Sequence, residues 1–203
     1  MSIVIPYIFI NFISFPLVQL FNRKFGEVVP FSLILSTLFL YVGGILQNIK
    51  LGLFLLIIST ICLYIYLFIN KYISKESIKL YISTGFIVFT LLYIFVSIYH
   101  RYTCINKWDE FTLWGPAVKE ILRLNKFYSV DESLLKVGKQ YYPFAMLLES
   151  IWCFLCRRYE DRFLFRALST FCISMFMPAI DKSSTQKNLI NNIFLYCYHF
   201  HLL

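Results

Sequence analysis

Residues 107–143, KWDEFTLWGPAVKEILRLNKFYSVDESLLKVGKQYYP, are the only long run of this sequence in which charged, aromatic and turn-forming residues mix. Apolar segments lie on both sides of this run. A polar stretch between segments long enough to cross a bilayer is typical of a loop held at a membrane surface. The sequence therefore predicts a helical membrane protein organised around one long loop, residues 100–143.

The composition indicates the same class of protein. Hydrophobic residues make up 59% of the 203 residues, aromatic residues 20% and charged residues 15%. A single soluble domain cannot bury so much apolar surface, so we predict an integral membrane protein. The net charge is +8, but the basic residues stand between apolar runs and form no single patch. They are interpreted as anchors for anionic lipid headgroups and do not indicate nucleic-acid binding.

Six apolar stretches predict membrane spans, four before the loop and two after it. They are residues 3–21, 29–47, 51–69, 79–99, 144–156 and 163–180. The predicted fold is an all-α, polytopic transmembrane bundle that forms a single membrane domain over residues 1–203, with an irregular tail from residue 181. Arg166 is expected to extend to the cytoplasmic edge. The last apolar run, residues 193–203, is too short to cross a bilayer, which is the pattern of a truncated chain.

The predicted orientation follows from Lys and Arg in the short connections between spans. The first, third and fifth connections carry eight such residues and the second carries one, so the positive-inside rule places the odd-numbered connections in the cytoplasm. The N-terminus and the 100–143 loop are then extracytoplasmic. Seven basic residues within the loop count against this orientation. The nine connection residues are Arg23, Lys24, Lys71, Lys75, Lys79, Arg157, Arg158 and Arg162 on one side and Lys50 on the other.

Within the loop, Gly115-Pro116 is the pairing expected at a helix N-cap and first helical position. It predicts an amphipathic juxtamembrane helix over residues 116–126. Apolar side chains, among them Val118 and Ile121, share one face, and charged side chains, among them Glu120, are mostly turned away. Such a helix is expected to lie in the membrane interface, and the alternative, that it merely packs on the transmembrane bundle, does not exclude the interface.

The candidate chemistry lies in the acidic pair Asp109-Glu110. A carboxylate at the membrane surface can take a proton from a hydroxyl group or hold a divalent metal ion. Cationic side chains can bind a phosphate, and aromatic faces can pack on a sugar ring. Simple solvation or helix capping is the alternative interpretation of the acids. The substrate-binding candidates in this loop are Arg101, Trp108, Trp114, Lys139 and Tyr142.

Other chemistries lack sequence support. The motifs GxGxxG, GxxxxGK[ST] and GxSxG are absent from the sequence. The three histidines, His100, His199 and His201, are too separated for a metal cluster, and no metal site is predicted. Cys153-x-x-Cys156 lies in an apolar span, where we expect core packing, and no structural disulfide is predicted.

The order of these features resembles the first catalytic loop of the GT-C superfamily of membrane glycosyltransferases. A span is followed by Trp-Asp-Glu at residues 108–110, then by the amphipathic helix, then by Tyr142-Pro143 at the entry to the next span. The resemblance covers residues 79–180. It implies inverting hexosyl transfer from a polyprenyl-phosphate donor to an extracytoplasmic acceptor at a bacterial plasma membrane. Asp109 would then be the catalytic base, and Glu110 a helper or a ligand of a divalent metal cofactor.

Two other interpretations stay open. The intramembrane carboxylate of Glu149 favours a transporter or channel subunit, because such a group is costly in a span unless it faces a partner or water. The alternative is that Glu149 is protonated or lies near the outer end of its helix. The chain could also be an inactive remnant of a longer enzyme. The expected partners are a lipid-linked sugar donor and membrane lipid.

Overall fold

The computed structural model describes residues 3–72, 75–107, 113–135, 138–139 and 143–185. Of these residues 77% are helical and none is in a strand, which confirms the all-α prediction. The part of the chain so described contains eight helices: α1 (Val4–Phe21), α2 (Phe25–Ile45), α3 (Ile49–Ile69), α4 (Lys75–Tyr81), α5 (Thr84–Tyr99), α6 (Gly115–Leu124), α7 (Phe144–Cys156) and α8 (Asp161–Thr185).

Four of these helices, α1, α2, α3 and α8, are long and apolar enough to cross a membrane, so the chain is a membrane protein. The predicted span at residues 79–99 is instead divided into α4 and α5. Ser83 is the reason for the break, because its side chain caps α5 by accepting a hydrogen bond from the Phe86 N–H at 3.4 Å.

Helix α2 is the centre of the bundle and contacts α1, α3, α5, α7 and α8. Small side chains allow its close contacts. The Ser14 and Ser32 hydroxyls join α1 to α2 at 2.8 Å. On the α3 side, a Cβ on Gly52 would lie only 2.2 Å from the Phe39 carbonyl oxygen. Helices that pack in lipid commonly approach through such small residues.

A buried carboxylate joins three helices at one end of the bundle, which we call the Asp181 end. Asp181 of α8 accepts hydrogen bonds from the Gly26 N–H (2.7 Å), the Gly85 N–H (2.7 Å) and the Ser83 hydroxyl (2.9 Å). It therefore caps the N-termini of α2 and α5 together, where free N–H groups and the helix dipole favour a negative charge. The prediction that the irregular tail starts at residue 181 is wrong, because Asp181 lies within α8 and is fully buried.

The connection between α7 and α8, residues 157–160, lies at the opposite end of the bundle, beside the start of the long loop. We call this end the loop end. Next to the connection, the Arg162 guanidinium donates to the Arg101 carbonyl at 3.2 Å, and Asp161 accepts from the Ile105 N–H at 3.3 Å. The Lys119 ammonium group of α6 stands 4.7 Å from the centre of the Tyr159 ring.

Helix α7 therefore does not cross the membrane. Its first residue, Phe144, packs its ring on Phe171 near the middle of α8 at 5.7 Å between ring centres, and its last residue is at the loop end. Its 13 residues cover about 20 Å, less than the roughly 30 Å of a bilayer core. The prediction of a crossing fifth span, with Arg157, Arg158 and Arg162 opposite to the loop, is wrong.

The prediction that Arg166 extends to the cytoplasmic edge is also wrong. Because α8 starts at the loop end, Arg166 cannot extend to an edge at the Asp181 end. It is only 2% exposed, and its Nη2 donates to the Ser97 carbonyl of α5 at 2.7 Å.

Because α7 returns to the loop end, the connections that predict the orientation are different. The connection at the loop end now runs from residue 100 to residue 160. That is about 60 residues, the length beyond which connections are translocated largely regardless of charge. The short connections still hold five basic residues at the Asp181 end and one, Lys50, at the loop end. An extracytoplasmic loop end stays a prediction, now based on these six residues.

Candidate functional site

The sequence-predicted site residues fall into two groups. Trp108, Asp109, Glu110 and Tyr142 lie outside the described residues, whereas Arg101, Trp114 and Lys139 lie within them. Arg101 is exposed, with its guanidinium carbon 5.2 Å from the centre of the Tyr102 ring. The Lys139 ammonium group donates to the Val130 carbonyl at 3.4 Å. Each of these two cations therefore contacts another residue of the loop, Tyr102 for Arg101 and Val130 for Lys139.

Trp114 stands at the start of α6 and faces the predicted intramembrane acid. It lines a cavity of about 130 Å³ together with Glu149 of α7. Glu149 is 1% exposed, and its Oε2 atom has no hydrogen-bond partner among the described residues. The other lining residues are Ile105, Leu164, Phe165 and Leu168. A carboxylate in such apolar surroundings is costly, which marks Glu149 as a functional candidate.

A larger cavity, of about 700 Å³, opens at the loop end between α3, α6 and the α7–α8 connection. Cationic side chains and apolar side chains share its wall, and we call it the basic cavity. Its lining residues are Lys50, Leu53, Leu122, Arg123, Cys153, Phe154, Arg157, Arg158 and Tyr159. Sequence reasoning missed this site because its cations come from separate segments, one of which was assigned to the opposite side of the membrane.

Two of the four cations in the basic cavity are neutralised. Arg123 pairs with Glu120 at 2.7 Å, and Arg158 pairs with Glu160 at 2.8 Å. Lys50 and Arg157 form no ion pair with any described residue. Two uncompensated cations beside apolar wall residues suit a ligand with a phosphate group and a hydrocarbon chain.

Helix α6 packs on the bundle, which is one of its two predicted placements and does not exclude a position in the membrane interface. Ala117, Val118 and Ile121 are fully buried, and α6 packs on α7. At its C-terminus, the Asn125 carbonyl accepts from the Ile49 N–H at 2.9 Å, and the Asn125 side chain accepts from the Lys50 N–H at 2.8 Å. These bonds hold α6 against the start of α3, where Lys50 lines the basic cavity.

Glu120 was expected to point away from the bundle, and the structure corrects this. It is 7% exposed and accepts hydrogen bonds from the Arg123 side chain (3.0 and 2.7 Å) and the Leu134 N–H (2.9 Å). Glu120 thereby connects α6 to the turn that follows it. The hydrogen bonds from Arg123, assisted by that of Leu134, hold the pKa of Glu120 below its ordinary value of 4.5.

We predict that the contact between Glu120 and the Leu134 segment weakens in acid. Because the folded-state pKa is lowered, the stabilisation is complete above pH 4.5 and is lost as the pH falls through the folded pKa. Hydrogen exchange of the Leu134 amide should therefore speed up on acidification in the wild type, beyond the intrinsic change. Glu120→Gln should exchange fast at neutral pH and lack this step. The exposed Asp131→Asn should behave like the wild type, and an unchanged Leu134 rate in Glu120→Gln would contradict the assignment.

No family model, curated protein or solved structure matches this chain. The resemblance to GT-C glycosyltransferases therefore stays a prediction based on residues 79–180.

Proposed function

We propose that this membrane protein is a GT-C-type transferase that moves a sugar from a polyprenyl-phosphate donor to an acceptor hydroxyl group. The basic cavity is the observation that supports the proposal best. A polyprenyl phosphate carries a compact negative charge on a long apolar chain. Lys50 and Arg157 match the charge, and Leu53, Leu122 and Phe154 match the chain.

The position of α6 supports a connection between this cavity and the predicted acids. The helix begins at Gly115, five positions after Glu110 in the sequence, and its residues Leu122 and Arg123 line the cavity. In the proposal, Lys50 and Arg157 take the phosphate-binding role that the sequence assigned to Arg101 and Lys139. Asp109 accepts the proton of the acceptor hydroxyl, Glu110 assists it or holds a divalent metal ion, and Trp108, Trp114 and Tyr142 contact the sugar.

The test is transfer of labelled sugar from a polyprenyl-phosphate donor in isolated membranes. Asp109→Asn should lower the rate about 100-fold, the range expected for loss of a general base. Arg157→Gln should raise the KM for the donor with little change in kcat, because it removes one phosphate contact. The matched control is Arg23→Gln, an exposed arginine at the Asp181 end, which should be unaffected. Equal rates in the wild type and Asp109→Asn would remove this acid from the mechanism.

Extracytoplasmic transfer also requires the loop end to face outward, which native Cys104 can report. Cys104 is exposed at the loop end. In a variant that keeps Cys104 as its only cysteine, a membrane-impermeant maleimide should label intact cells. Labelling that appears only after permeabilisation would place the loop end in the cytoplasm and refute extracytoplasmic transfer.

A second candidate, a transporter or channel subunit, is favoured by the unpartnered carboxylate oxygen of Glu149 in its cavity. In that case Glu149→Gln should abolish solute flux, while Asp109→Asn should leave flux intact. The transferase proposal predicts the reverse sensitivity, with sugar transfer dependent on Asp109.

A further inference from the structure

A buried arginine between α5 and α8 has no counter-ion among the described residues. Arg166 is 2% exposed, and its Nη2 donates to the Ser97 carbonyl at 2.7 Å. Its Nε and Nη1 atoms are buried and have no hydrogen-bond partner in the described part of the chain. Glu160, an acid earlier on the same chain segment, is already paired with Arg158 and Arg162. Among the described residues, Arg166 therefore has one hydrogen-bond acceptor, the Ser97 carbonyl, and Glu160 acts on its charge only from beyond ion-pair distance.

The groups around Arg166 offer hydrogen-bond donors. Three buried polar atoms nearby also form no hydrogen bond with any residue that the structure describes: Ser97 Oγ, Trp152 Nε1 and Thr170 Oγ1. Thr170 stands one turn after Arg166 on the same face of α8. Ser97, Trp152 and Arg166 are all neighbours of Tyr93. The hydroxyl of Tyr93 donates to the Ile3 carbonyl at 2.8 Å, and its oxygen can still accept from the Ser97 and Trp152 side chains beside it.

A buried cation without a partner is strongly unfavourable, and so are buried donors without acceptors. One negatively charged acceptor placed among these groups would relieve both. We infer that Arg166, Ser97, Trp152 and Thr170 form a binding site for a small monovalent anion of the halide class, enclosed by α5, α7 and α8. The four side chains are at most 2% exposed, so the proposed site is closed to bulk solvent and to a phosphate ester on a long apolar chain. The site is separate from the basic cavity and does not depend on sugar transfer.

The first test is thermal unfolding of the purified full-length protein in detergent. It compares sodium chloride with sodium gluconate at equal concentration, because gluconate gives the same ionic strength but is too large for the site. The wild type should have an apparent Tm several degrees higher in chloride. Arg166→Gln should abolish the difference, and Arg23→Gln should retain it. An equal Tm of the wild type in both salts, or an unchanged difference in Arg166→Gln, would overturn the inference.

The second test measures the contact with the ion directly. Of the three tryptophans, only Trp152 belongs to the site, so a Trp108→Phe/Trp114→Phe variant isolates its fluorescence. Bromide should quench Trp152 with saturation, and chloride should compete. If Arg166→Gln does not fold, Thr170→Val serves in its place, because it removes one donor at nearly constant volume, and the half-saturating bromide concentration should rise several-fold. Linear, unsaturable quenching in the otherwise intact site would mean that bromide only collides with Trp152 without binding, and would refute the anion site.

Discussion

Replacement of Asp181 by Asn is expected to lower the free energy of unfolding by about 3–5 kcal/mol, the range for loss of a buried charge with several partners. The carboxylate accepts from two backbone N–H groups and one hydroxyl. In Asp181→Asn the new NH₂ group is a donor and must face at least one of these donors. Because the Gly26 and Gly85 N–H groups bond to different oxygens, the cap of α2 or that of α5 is then lost.

The neighbouring glycines show how closely the backbone surrounds this carboxylate. A Cβ at Gly26 would lie 2.5 Å from Asp181 Oδ2, and a Cβ at Gly85 would lie 2.6 Å from the same atom. Neither helix start can withdraw without losing its hydrogen bond. Gly85→Ala should therefore destabilise the protein in the same direction as Asp181→Asn.

The measurement is unfolding of the purified protein in mixed micelles by increasing SDS, followed by tryptophan fluorescence. Glu27→Gln is the matched control, since Glu27 is an acid at the same end of the bundle with an exposed ion pair to Arg23 at 3.6 Å. Its loss should change the unfolding free energy by less than about 1 kcal/mol. Similar losses in Glu27→Gln and Asp181→Asn would contradict the capping role.

Gly52→Ala is the second substitution with a large expected effect, a loss of about 3 kcal/mol through overpacking. The added Cβ would lie 2.2 Å from the Phe39 carbonyl oxygen, 2.9 Å from the Phe39 carbonyl carbon and 3.0 Å from the Leu40 Cα. All three are backbone atoms, so no side-chain rotation can relieve the contact. Helices α2 and α3 must move apart.

This movement would also disturb the basic cavity, because Lys50 and Leu53 of α3 flank Gly52 and line that cavity. The same SDS titration gives the loss of stability, and Ile58→Ala on the exposed face of α3 is the control. Lipid replaces a lipid-facing side chain without penalty, so Ile58→Ala should change the unfolding free energy by less than about 1 kcal/mol. A Gly52→Ala protein as stable as the wild type would show that the two helices are not packed backbone to backbone.

The individual helices could be predicted from the sequence because their causes are local. Uninterrupted apolar runs predict the ends of α1 and α3 to within two residues, and the bounds of α7 are as predicted. Helix α8 begins two residues before the predicted span and ends five residues after it. Gly115-Pro116 marks the start of α6, and its alternating apolar and charged residues indicate which face is buried. These features depend on neighbours within a few turns of one chain segment.

The path of the chain and the candidate site depend on partners far apart in sequence. From the sequence, Asp181 is predicted to belong to a polar tail. In the structure it caps α2 through the N–H of Gly26, which is 155 positions earlier in the chain. From the sequence, Glu120 is predicted to be a surface acid. In the structure it accepts a hydrogen bond from the Leu134 N–H, which lies 14 positions later in the chain.

By itself, then, the sequence determined the membrane class, the all-α fold and most helix bounds, because hydrophobicity and capping act along the chain. Only the tertiary structure decided that α7 returns to the loop end, that Arg157 joins Lys50 in one cavity, and that Arg166 is buried. The physical reason is that a 13-residue apolar helix satisfies its own backbone wherever it lies, so its sequence does not specify whether it crosses. That is decided by the position of its partner, α8.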